Sequence, residues 1–66
     1  MKESFVTVTC GMSGYFAVMM WWNANDPDIP EGFWEPWQSG IGRYATREEA
    51  EAEGRLWAEC EGVEFK

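Results

Sequence analysis

Residues 15–22, Tyr-Phe-Ala-Val-Met-Met-Trp-Trp, form an unbroken apolar run between a glycine turn and a proline-rich segment. In extended backbone, successive side chains point to opposite faces. Phe16, Val18, Met20 and Trp22 then line one face, and Tyr15, Ala17, Met19 and Trp21 the other. A helix is the competing reading, but a run this short between such breakers suits a strand. A strand apolar on both sides needs two covers, or it leaves an exposed patch.

The flanking sequence supplies the rest of a sheet. Residues 4–10 alternate and are rich in β-branched side chains, which predicts a strand with Val6, Val8 and Cys10 on one face and Phe5, Thr7 and Thr9 on the other. Gly11-Met12-Ser13-Gly14 is a hairpin turn signal. Residues 23–36 hold three prolines, a glycine and four acids, and read as a loop. Phe33, Trp34 and Trp37 are expected to tie that loop over the sheet, leaving Asp26, Asp28, Glu31 and Glu35 pointing outward. Residues 37–45 read as a third strand, kinked at Gly40 and Gly42.

Residues 46–60 carry the clearest local signals. Thr46 is an N-cap with Glu49 three residues on, a capping box, and Glu48 and Glu49 suit the positive end of the helix dipole. Ala50, Gly54, Trp57 and Cys60, with Leu56, make an apolar stripe, opposite Glu48, Glu51, Arg55 and Glu59. Glu51–Arg55 and Arg55–Glu59 have the i,i+4 spacing of ion pairs. Gly62 is placed to end the helix, and Val63, Glu64 and Phe65 can return to the sheet as a short strand. The expected fold is α+β: a small antiparallel sheet, made of the N-terminal hairpin, a third strand and a short C-terminal strand, packed on one α-helix, with residues 1–66 as a single domain.

Composition sets what such a fold can do. The chain has 66 residues, twelve acids against five bases, a net charge of −7 and no histidine. A chain this short buries only about 60% of its unfolded surface. Five Trp, two Tyr and four Phe supply the compensating apolar area, with some left over for an interface. Trp22, Trp57 and Phe16 are the expected core aromatics, while Trp21, Trp34 and Trp37 are candidates for contact. The negative charge repels nucleic acid and anionic lipid, so neither direct nucleic-acid binding nor membrane binding is expected. Cys10 and Cys60 read as buried small apolar residues in a reducing compartment. Glu3 and Ser4 follow Lys2 at once, which predicts no export signal and a cytoplasmic protein.

Chemistry at a catalytic site is not expected. No histidine is present, and the serines have no neighbouring base. Glu48 and Glu49 point about 100° apart on a helix and are accounted for by capping. Asp26, Asp28 and Glu31 lack the glycine and the terminal glutamate of a calcium loop, and Gly40-Ile41-Gly42-Arg43-Tyr44 lacks the lysine of a phosphate loop. No cofactor and no metal are therefore expected. What remains is two acidic clusters, the loop and the helix, around an aromatic core. Spaced carboxylates on a rigid scaffold can imitate the phosphates of a nucleic-acid strand and occupy a basic groove. The candidate partner-binding residues are Asp26, Asp28, Glu31, Glu35, Trp34, Glu48, Glu51 and Glu59, with an aromatic able to sit between partner arginines.

The C-terminal half combines Tyr44, Thr46, Glu48, Glu49, Ala50, Trp57, Ala58 and Gly62 in a strand–helix–strand ending. With the size and the acidity, this ending resembles the small anti-CRISPR inhibitors of Pseudomonas phages and mobile elements, those acting on type I-C systems in particular. The resemblance implies a stoichiometric inhibitor in a bacterial host cell. It would bind a type I surveillance complex (Cascade), on the basic DNA- or PAM-reading surface of its Cas8-type subunit. A monomer is expected. The alternative is a small phage structural or regulatory module, or a homodimer, that associates through its aromatic surface.

Overall fold

Two glycines flank Met12 and Ser13 and let the first two strands fold back on each other. β1 (Phe5–Gly11) and β2 (Gly14–Asn23) pair antiparallel, with Gly11 opposite Gly14 and Val6 opposite Met19. These come from a computed structural model that describes residues 3–66; Lys2, on which the export reading leans, lies outside them. β3 (Phe33–Ser39) pairs antiparallel with the other edge of β2, α1 spans Arg47–Glu61, and β4 (Glu64–Phe65) lies beside β1. The sheet order is β3-β2-β1-β4.

The α+β class holds, but the sheet is mixed rather than wholly antiparallel, because β4 runs parallel to β1. The cause is the helix. It carries the chain back to the end of the sheet where β3 began, so the strand after it runs the same way as β3 and β1.

The third strand also sits earlier than residues 37–45. It takes up Phe33, Trp34, Glu35 and Pro36 and ends at Ser39; beyond it the Gly40 N–H donates to the Ala17 carbonyl and Tyr44 is bridged to Tyr15. Pro36 is tolerated because β3 is an edge strand, where a missing N–H costs no ladder bond. Pairing jumps from Met20↔Pro36 to Met19↔Gln38, so Trp37 is the extra residue of a bulge.

The loop is thereby shortened to residues 24–32, and its own turns hold it. Asp26 Oδ1 accepts from the Asp28 N–H at 2.9 Å, and the N–H groups of Ile29 and Gly32 donate to Asp26 and Ile29 carbonyls. Gly32 ends the loop at φ +85°, and a Cβ there would lie 2.6 Å from Trp22 Nε1. Only glycine combines that backbone angle with that proximity.

The core lies between sheet and helix and is made of small residues. Val6, Val8, Ala17 and Met19 face Ala50 and Ala58, all buried, with Gly54 between them on the helix. A Cβ on Gly54 would meet the Phe65 ring at 2.7 Å, so the glycine sets how closely α1 approaches β4 and β1. The docking stripe is thus Ala50, Gly54 and Ala58, with Trp57 at its margin; Leu56 and Cys60, expected within it, are exposed. Small side chains won because they let the helix axis come closer to the sheet, and that rotation turned the larger ones outward. Trp22, Trp57 and Phe16 are half-buried rather than core. Cys10 is exposed too, since it lies two residues beyond Val8, whose carbonyl is the point that Arg47 of the first helical turn reaches.

The helix ends behave as their sequence predicts. Thr46 Oγ1 accepts from the Glu49 N–H at 3.4 Å and donates to Glu49 Oε1 at 2.9 Å. Gly62 adopts φ +73° and its N–H returns to the last-turn carbonyls. The resulting slab measures 38 × 27 × 15 Å. It is two layers thick, and α1 covers β1, β2 and β4 but not β3.

Candidate functional site

The expected acidic residues divide by what their carboxylates already do. Asp26 is half-buried and turned inward on the loop turn. Glu35, expected to point outward, is a strand residue opposite Trp21. Its Oε1 accepts from Trp21 Nε1 at 2.9 Å and from Asn23 Nδ2 at 3.4 Å. That correction follows from β3: as a strand residue Glu35 faces the indole across the pair rather than solvent. Glu51 is held by Arg47 at 3.4 Å and Arg55 at 3.9 Å. Arg55 also stands over the Phe65 ring at 4.6 Å.

Asp28, Glu31, Glu48 and Glu59 are exposed, and so are Glu61 and Glu64. The two ion pairs found among the described residues both fall on Glu51, so none of these six carboxylates is neutralised by one. Glu48 and Glu59 are eleven positions apart, roughly 16 Å along one face of a helix. Their anionic field is directed at solvent.

Trp34 is not a free anchor. Its ring meets Phe5 at 4.7 Å and Trp22 at 5.4 Å, both edge to face, on the sheet surface away from the helix. The exposed tryptophan is Trp37 at the bulge, 63% exposed, beside Trp21 and Ser4. The bulge could not be read from composition, although a proline inside a strand is confined to an edge, a strand start or a bulge.

Sequence reasoning missed a second feature. The uncovered margin between α1 and the chain leaving β3 forms a groove of about 370 Å³, lined by Gly40, Ile41, Glu53, Leu56, Trp57 and Cys60. Ile41 and Leu56 are 97% and 66% exposed. Another hollow, of about 420 Å³ at the β4 edge, brings Glu3 and Glu64 together with Lys66 and so carries both signs of charge.

Among the described residues no cluster of three or more Cys, Asp or Glu is placed to hold a metal ion, and no helix is long and apolar enough to cross a membrane. No protein-family model, curated protein or solved structure matches the chain.

Proposed function

We propose that this protein is a non-catalytic, stoichiometric inhibitor that covers a basic, nucleic-acid-reading surface of another protein. The target that the sequence resemblance implies is the Cas8-type subunit of a type I CRISPR surveillance complex, met in the cytoplasm of a bacterial host, with target DNA or PAM binding blocked by acidic mimicry. The observation that carries the reading is the set of exposed, unneutralised carboxylates: Asp28 and Glu31 on the loop, Glu48 and Glu59 on the helix. A short, turn-locked loop and a capped helix hold them with little side-chain freedom to lose beyond their own rotamers. Such a surface gains association rate by steering and affinity by charge-assisted hydrogen bonds.

The structure changes which residues should matter. Glu35, Asp26 and Glu51 are engaged internally, so the four exposed acids are the test set. In a DNA-binding assay with purified type I effector complex, the protein should block DNA capture, and block it less as salt rises. Reversal of Glu48 and Glu59 to Lys, and separately of Asp28 and Glu31, should relieve the block while circular dichroism stays unchanged. Full inhibition by both reversed variants would sink the proposal.

A further inference from the structure

The groove between α1 and the segment after β3 is apolar along its walls, yet it contains one carboxylate. Glu53 Oε1 is shielded from solvent and has no hydrogen-bond partner. The carboxylate lies against the backbone at Gly40, where even a Cβ would stand 3.2 Å from Oε2. An unanswered buried carboxylate oxygen is costly.

No cation of the described chain is free to answer it. Arg47 and Arg55 are drawn to Glu51. Arg43 lies over the Phe16 ring at 4.2 Å, with Nη1 donating to the Gly40 and Gly42 carbonyls, and Lys66 Nζ lies over the Phe5 ring at 4.8 Å. Phe5 and Phe16 alternate out of register with Val6 and Ala17, so both rings belong to the sheet surface away from the helix. Among the described residues no side chain answers Glu53 Oε1, and the exposed Leu56 and Ile41 beside it offer apolar contact, so a partner carrying both a cation and apolar side chains is complementary to the groove.

We propose that this groove is the docking site for a basic–apolar segment of a partner protein. One arginine or lysine of the segment reaches Glu53, and neighbouring aliphatic or aromatic side chains cover Leu56, Ile41 and the exposed edge of Trp57. The proposal deepens the reading of this chain as a binding protein, on which it rests, by naming the chemistry of one contact. It differs from charge masking by the exposed acids because its charge is a single, partly shielded one between apolar walls. Such a site contributes specificity and slow dissociation, whereas exposed acids contribute steering.

The test uses the full chain and a random dodecapeptide display library. Selected peptides should carry Arg or Lys within a few residues of Leu, Ile, Phe or Trp. In NMR titrations with such a peptide, shifts should concentrate at Ile41, Glu53, Leu56 and Trp57. Glu53→Gln keeps the shape and removes the charge, and should weaken the peptide on the order of tenfold or more. Leu56→Ser alters an exposed position and should weaken it comparably with the fold intact. Selection of peptides without a cation, or binding unchanged in both variants, would overturn the proposal. So would sedimentation showing self-association that Leu56→Ser abolishes, because a second copy would then fill the groove. Capture of the effector complex separates the two readings. If Glu48→Lys/Glu59→Lys weakens capture and the groove variants do not, the groove proposal fails and charge masking stands. If only the groove variants weaken it, the reverse holds.

Discussion

On the helix side of the sheet the fully buried side chains are small, Val6, Val8 and Ala17 with Met19, and they meet Ala50, Gly54 and Ala58, with the half-buried Phe65 and Trp57 packed at the margin. On the other side they are large: Phe5, Phe16, Met20, Trp22 and Trp34. The first face is sealed by another element, and close approach needs small residues. The second has no element to cover it, so its rings cover one another. Trp34 lies edge-on to both Phe5 and Trp22, Gly32 seats the Trp22 indole, and Val18 on the same face is only 5% exposed. A chain with one helix can thus close a two-sided apolar strand, using a helix on one side and tiled aromatics on the other. Large side chains close a face without a second layer because each removes on the order of 150–250 Å² from water.

The two faces should respond differently to substitution. Val6→Asp should have the largest effect: a charge with no partner beneath the helix costs more than a domain of this size holds in reserve, so far-UV circular dichroism should show an unfolded chain at 25 °C. Trp34→Ala opens the tiled face without burying a charge and should cost about 2 kcal/mol, read as a lowered denaturation midpoint with the fold retained. Equal losses from these two substitutions would erase the distinction between the faces. Gly54→Ala sharpens it further. Helix propensity alone predicts a gain of about 1 kcal/mol, but the methyl meets the Phe65 ring, and overpacking costs about 1–3 kcal/mol; a net loss near 1 kcal/mol is expected by urea titration. Glu51→Gln, outside both faces, should change stability by no more than about 0.5 kcal/mol in the same titration.

What could be read in the sequence was what neighbouring residues decide. Thr46, Glu49 and Gly62 bracket the helix through contacts within one turn, and the glycines at 11 and 14 close the hairpin locally. What could not be read depends on residues far along the chain. Pro36 argues against a strand until the strand is known to lie at an edge, and Glu35 looks like a solvent acid until β3 pairs it with Trp21. The expected helix stripe is Ala50, Gly54, Trp57 and Cys60 with Leu56; the structure keeps Ala50 and Gly54 in the contact, adds Ala58, and turns Leu56 and Cys60 outward. That one rotation hid the groove, since it turns Leu56 toward solvent and leaves Glu53 between helix and strand. Of the expected acids, Glu48, Glu59, Asp28 and Glu31 are free for contact; Asp26 and Glu51 are engaged by neighbours within four residues, and Glu35 alone could be told apart only by its tertiary partner Trp21.

Pro36 and the Trp37 bulge have one more consequence. They sit in the strand that forms one border of the sheet, and the opposite border is the two-residue β4. A border that lacks a donor and is kinked is a poor template for another strand, and a two-residue border is too short to be one. Such a molecule resists growing into ribbons or fibres despite its aromatic content. Backbone pairing with a partner is confined to the part of β1 that β4 leaves uncovered, so recognition rests mainly on side chains.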